Sequence, residues 1–297
     1  MQLHNDIENF KSAIINTARK TNIRESLIEK DYYILLILNK LNEVIPGLVF
    51  RGGTVLSKCY KIIDRFSEDI DLSLDVSHFT KTNKINANKL IIKTCEELNL
   101  TISNYDFVKN RVHNKYNCYN IKYQTVLDEE RREEPIKLEL VFINRTYPCE
   151  LKELDTLIVE NNSVNEIYDS LHTTMLVQKL ERTLIDKVFA LCDYYIDGNT
   201  KRQSRHIYDI AHILPNVDIE SDNFKALIAE IRAMRKNNKY GYSAQDGVNI
   251  NELLKEIIKN DVYKEDYINI STPLFNKPYA YEEAIKSLKI IIDKNIF

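Results

Sequence analysis

The sequence predicts an α/β fold, with a mixed sheet preceded by N-terminal helices and followed by a helical C-terminal half. Three patterns carry this expectation. Apolar residues recur at helical spacing over the first 45 positions. Apolar and polar residues alternate in several segments between 48 and 143. Helical periodicity then returns from about 172 to the end. With 297 residues the chain can bury a sizeable core. The expected division is 1–165 and 166–297, near Asn161-Asn162-Ser163.

Taken in order, residues 5–20 and 24–45 read as helices, the second with Leu27, Ile28, Tyr32, Leu35, Leu38 and Leu41 on its apolar face. Pro46-Gly47 ends it, and Leu48-Val49-Phe50 starts a buried strand. A helix is expected over 54–63, a strand through Asp69 and Asp71, and a further helix over 84–98. Strand-like stretches follow between 100 and 127, including 116–123, with a charged hairpin tip at 128–134. Residues Ile136 to Ile143 alternate well enough for a strand. Helices are expected over 175–195 and 204–214.

The most informative run is Phe50-Arg51-Gly52-Gly53-Thr54, followed by Arg65-Phe66-Ser67-Glu68-Asp69-Ile70-Asp71-Leu72. On an extended strand Ser67, Asp69 and Asp71 share one face, and Ile70, Leu72 and Leu74 the other. Two carboxylates side by side repel unless a cation lies between them. Hard oxygen donors of this kind suit Mg²⁺, which draws one or two carboxylates from protein and completes its shell with water and phosphate. A glycine turn lets backbone N–H groups approach a triphosphate. These residues imply metal-dependent nucleotidyl transfer. An isolated Asp-x-Asp is more often only a solvated strand face, and Gly-Gly only a turn; the combination is what speaks for chemistry.

Glu139 sits on the polar face of its strand with Lys137 and is either a third carboxylate for the same metal or a partner of that lysine. Lys187 lies about 20° from Leu180 around the helix at ~100° per residue. It either snorkels along the packing face or reaches into a site as a phosphate-neutralising cation. Asp209 either pairs with Arg205 one turn earlier or positions Lys187 or the acceptor.

Composition bounds the class. The net charge of −3 does not advertise nucleic-acid binding, although Lys201-Arg202-Gln203-Ser204-Arg205-His206, and Arg232 with Arg235, Lys236 and Lys239, form local basic patches. Each reads first as a solvated helix end or loop. Cysteines at 59, 95, 118, 149 and 192 form no Cys-x-x-Cys pair and read as scattered, reduced residues. No apolar run matches a signal peptide or the ~20 residues of a membrane span, so a cytoplasmic protein is expected. A P-loop is excluded because no Gly-Lys-Ser/Thr follows Gly52-Gly53, and no His-Glu-x-x-His arrangement supports zinc hydrolysis.

Together these residues resemble the AbiEii/AbiGii toxin family of nucleotidyltransferases, within the polymerase-β-like superfamily. The resemblance runs through Ile28-Glu29-Lys30-Asp31-Tyr32, the Gly-Gly and Ser67–Leu72 motifs, Ile136–Glu139, Glu181–Lys187 and Ser204–Ile210. It implies a polymerase-β-like core, with the helical half completing the active site. Carried over residue by residue, it implies Ser67, Asp69, Asp71, Lys187 and Asp209 as catalytic residues. Asp69 and Asp71 would hold Mg²⁺, with Glu139 as a third candidate ligand. Gly52, Gly53, Thr54, Ser67 and Lys187 are the expected nucleotide contacts, although Ser67 is also a candidate for self-modification. Some members carry an acidic residue where this chain has His206.

The activity this implies is transfer of a nucleoside monophosphate from an NTP to an acceptor, with release of pyrophosphate. The tRNA 3′ end is the expected acceptor, and the context is the toxin of a toxin–antitoxin or abortive-infection pair with a cognate antitoxin. Two alternatives stand beside it: a regulatory nucleotide- or RNA-binding protein of the same fold, and a transferase acting on protein or a small molecule.

Overall fold

The computed structural model describes residues 2–67, 69–77, 81–111, 115–127, 134–145, 147–161 and 172–297. The chain forms two compact units, one built from Met1–Tyr60 and Ser67–Gln178, the other from Lys61–Phe66 and Lys179–Phe297.

The first unit is a seven-stranded mixed sheet with helices. Its elements are α1 (Ile7–Thr21), α2 (Glu25–Val44), β1 (Leu48–Arg51), α3 (Gly53–Lys58), β2 (Ile70–Asp75), α4 (Lys81–Glu97), β3 (Thr101–Ile102), α5 (Tyr105–Val108), β4 (Tyr116–Lys122), β5 (Ile136–Ile143), β6 (Cys149–Asp155), α6 (Leu157–Asn161) and β7 (His172–Gln178). The strand order is β3-β4-β5-β2-β1-β7-β6. The two parallel pairings are β1 with β7 and β2 with β5; the rest are antiparallel.

Sequence explains the main elements. Asp6 caps α1 through the Asn9 N–H, and Asn22 closes it in the left-handed region that Asn tolerates. Helix α2 buries Ile28, Tyr32, Leu35, Leu38 and Leu41 as its periodicity requires, and packs against β7, α1, α4 and α6. In β5, Ile136, Leu138, Leu140 and Phe142 enter the core while the alternate residues stay more exposed.

The motif Glu29-Lys30-Asp31 is architectural. Glu29 accepts from Thr125 Oγ1 at 2.6 Å and the Val126 N–H at 2.7 Å. Asp31 accepts from the Leu157 N–H at 2.8 Å and pairs with Lys58 at 2.5 Å. One turn of α2 thus fixes the chain after β4, the start of α6 and the end of α3.

Two expectations are corrected. The helix expected over 54–63 ends at Lys58, because Lys61 takes a left-handed backbone (φ 54°) and no helix continues through it. The segment 175–178 is strand, not helix. Thr173, Met175 and Val177 are buried on alternate positions of β7, a period of two that abuts the helical period beginning at Leu180 with only extended Lys179 between. Strand β6 and helix α6 were not anticipated. Residues 128–133 of the hairpin tip expected over 128–134, and the 165/166 boundary, lie outside the described residues.

The second unit is helical: α7 (Leu180–Ile196), α8 (Arg205–Ile213), α9 (Asp222–Lys236), α10 (Ile250–Lys259), α11 (Lys264–Asp266) and α12 (Tyr281–Lys294), with a π-helical turn at Tyr267–Ser271. Helix α8 packs against α7 and α12, and α7 also meets α9 and α10. Arg235 reaches Asp193 at 2.6 Å, and Asp193 also accepts the Ser243 hydroxyl at 2.6 Å. Arg235 is therefore a structural tie in this unit and not part of a free basic patch. No described helix is long and apolar enough to cross a membrane.

Candidate active site

In the sheet unit the site grows from the end of β1. Gly52 has φ 83° and ψ −163°, a conformation open essentially to glycine alone. A Cβ built there would overlap Asp71 Oδ2, so the carboxylate lies directly against the glycine backbone. Thr54, buried in the first turn of α3, donates to the Asp69 carbonyl at 2.7 Å and stands 3.1 Å from Ser67 Oγ. That hydroxyl pins the approach to β2. Asp69 lies one residue ahead of β2, whose first residue is Ile70.

Strand register then builds a transverse row. Arg51 opposes Asp71, Asp71 lies beside Glu139, and Glu139 opposes Cys118. Directly paired residues project to the same side of a sheet, so the four side chains share one face. Tyr116, two residues before Cys118, hydrogen-bonds Glu139. Burial pushes the Glu139 carboxyl above its usual range, and the charges of Asp71 and Asp69 push the same way, against the Tyr116 hydrogen bond and the Arg51 charge. Burial and Glu139 likewise raise the Cys118 thiol, which stays protonated.

Glu139 therefore faces Asp71, Tyr116 and Arg51, whereas Lys137 is exposed. Among the described residues no three His, Cys, Asp or Glu side chains form a ready metal cage. Asp69 and Asp71 supply two carboxylates, the number that Mg²⁺ sites commonly take from protein. The donor chemistry and the glycine cradle beside Asp71 fit such an ion.

In the helical unit Lys187 and Asp209 meet. Lys187 Nζ donates to Asp209 Oδ2 at 2.6 Å, and the Arg65 guanidinium grips the same carboxylate with both prongs. The snorkelling reading of Lys187 does not hold, because its side chain is only 9 % exposed. Nor does Asp209 pair with Arg205; Arg65 and Lys187 take its oxygens. Burial alone would raise the Asp209 carboxyl, but Arg65 and Lys187 hold it below the usual range. Burial pulls the Lys187 ammonium down against the attraction of Asp209.

His206 stacks on Tyr194, and its Nδ1 is buried without a hydrogen-bond partner. Burial, then the charges of Lys187 and Arg205, hold it neutral. Two cations and one anion leave the Arg65–Asp209–Lys187 group with surplus positive charge. Arg65, Arg51 and Tyr116 were not singled out from sequence. The only sequence signal for the two arginines is their place inside the two strongest motifs.

No curated protein matches the chain. A family model described as "Nucleotidyl transferase AbiEii toxin, Type IV TA system" matches residues 36–286. That span contains the Gly52 cradle, the Asp69/Asp71 pair, Glu139, Lys187 and Asp209, and the chain belongs to the AbiEii family of nucleotidyl transferase toxins.

Proposed function

We propose that this nucleotidyltransferase moves a nucleoside monophosphate from an NTP to the 3′ end of tRNA, with Mg²⁺ held by Asp69 and Asp71. The observation that carries the reading is the carboxylate of Asp71 seated against Gly52, with Glu139 next to it in the sheet row. In that reading Glu139 flanks the pair as a candidate third carboxylate. A bound divalent ion would neutralise charge on the triphosphate and on the transition state.

The chain's own residues would do the rest. Gly52 and Gly53 admit phosphate oxygens close to the backbone, and Thr54 holds Asp69 and Ser67 in place. Ser67 hydrogen-bonds the triphosphate. Lys187, oriented by Asp209, is the cation for the departing pyrophosphate. In the reaction the acceptor hydroxyl oxygen bonds the α-phosphorus and releases its proton to solvent, the bond from that phosphorus to the bridging oxygen breaks, and pyrophosphate leaves. A cognate antitoxin, implied by the family, would restrain the activity in a cytoplasmic setting.

The test incubates purified protein with each α-³²P-labelled NTP, Mg²⁺ and total bacterial tRNA, beside Asp69→Ala. Label on tRNA in the wild type and none in the variant is expected. The same variant should relieve growth inhibition. Label confined to polypeptide would replace the tRNA acceptor with a protein one, and undiminished labelling by Asp69→Ala would overturn the site.

A further inference from the structure

We propose that Arg51 binds the triphosphate of the nucleotide substrate, an assignment that rests on the nucleotidyl-transfer reading above. Arg51 is the last residue of β1, immediately before the Gly52 cradle, and it opposes Asp71 in the sheet. It therefore shares a face with Asp71 and Glu139.

Its side chain is half-buried and its Nε is fully enclosed, yet that nitrogen has no hydrogen-bond partner. Among the described residues no hydrogen bond or ion pair holds its guanidinium. Electrostatically it attracts Glu139, two strands away in the same row. Arg65, Arg182 and Arg235 differ. Each is anchored on a carboxylate, Asp209, Asp186 and Asp193 respectively, although Arg182 and Arg235 also carry one unbonded nitrogen.

A buried guanidinium nitrogen without an acceptor is costly, and it persists where an acceptor arrives with a ligand. The guanidinium is planar, always charged and forked to match the oxygens of a phosphate. Two neighbouring carboxylates repel a bare phosphate. Once a divalent ion engages them, the free donors of Arg51 face an anionic ligand beside a glycine turn that admits it. The competing role is a fixed counter-charge to Asp71 and Glu139, which would affect metal affinity and leave triphosphate affinity alone.

The experiment measures, at saturating Mg²⁺, the Kd of an α,β-methylene NTP and the inhibition constant of inorganic triphosphate against it. The proteins are full-length wild type, Arg51→Lys and Arg51→Gln, each checked by thermal melting. Arg51→Gln should weaken both ligands at least tenfold, with Arg51→Lys between, because lysine keeps the charge but loses the fork. Wild-type affinity for inorganic triphosphate in Arg51→Gln overturns the proposal. If that variant does not fold, wild-type affinity in Arg51→Lys overturns it instead. A wild type that binds neither ligand fails at the earlier step and sinks the nucleotidyl-transfer reading itself.

Discussion

Asp209 accepts both prongs of the Arg65 guanidinium, Nε to Oδ1 at 2.8 Å and Nη2 to Oδ2 at 2.7 Å, with side chains 3 % and 0 % exposed. A bidentate pair of this kind is geometrically demanding, and it also fixes the carboxylate that holds Lys187. Removing the anion would take the shared carboxylate away from two enclosed cations. Asp209→Asn should therefore lose about 3–5 kcal/mol of stability, the usual cost of breaking a buried pair. Arg65→Lys, which keeps the charge and loses the fork, should lose roughly 1–3 kcal/mol. Urea denaturation of the two variants checks both the sign and the order.

The pH dependence of stability should carry a signature of His206. Its folded pKa lies well below the ordinary histidine value, so between the two values the unfolded chain binds a proton that the folded chain does not. Stability from this group is complete above about pH 6.5 and is lost as pH falls. The one-proton limit is about 1.4 kcal/mol per pH unit. Replacing His206 with glutamine should flatten the curve between about pH 5 and 6.5. Urea midpoints measured across that range would show it, and an unchanged slope would assign the dependence to other groups.

Gly52 and Gly47 make a matched comparison. Both have positive φ, 83° and 77°, but a Cβ at Gly47 meets nothing within 4 Å, whereas one at Gly52 collides with Asp71. Gly47→Ala should cost only the backbone penalty, roughly 1–2 kcal/mol, with nucleotidyl transfer retained. Gly52→Ala should abolish transfer as well as lower the melting temperature. Retained activity in Gly52→Ala would remove the cradle from the mechanism.

Asp31 offers a stability change without a catalytic one. It is 5 % exposed and pairs with Lys58, itself 11 % exposed, while accepting the Leu157 N–H. Asp31→Ala should lose about 3 kcal/mol by removing the carboxylate from that lysine, whose ammonium would keep the Asp155 carbonyl at 3.0 Å. The folded fraction should keep wild-type kcat, measurable by titrating active sites before and after mild heating.

Metal dependence is the last expectation. Dialysis against EDTA should abolish transfer, and Mg²⁺ or Mn²⁺ should restore it, as hard oxygen donors predict. Glu139→Gln should raise the Mg²⁺ concentration needed for half-activity. An unaltered metal requirement would reduce Glu139 to a neighbour of Asp71.

Much of the fold could be read from local pattern. Helices α1 and α2 follow from apolar spacing, β5 from strict alternation, and the turn at Gly52 from two adjacent glycines after an apolar run. Strand β7 was hidden because its period of two runs almost directly into the helical period of α7. The site divides the same way. Asp69, Asp71 and Gly52 announce themselves within one short stretch. The partner of Arg65 lies 144 positions away, and spacing cannot reveal it. The row Arg51–Asp71–Glu139–Cys118 needs three strand registers, and each is a long-range choice set by packing.

The path of the chain has a genetic consequence. The polypeptide lends the short segment Lys61–Phe66 to the helical unit, takes itself back at Ser67, and departs again after Gln178. Arg65 and Asp209 therefore belong to one folded body but to opposite halves of the reading frame. A crossover between diverged relatives anywhere between those codons would inherit one member of the pair from each parent. Such a chimaera keeps the buried pair only where both parents supply the arginine and the aspartate.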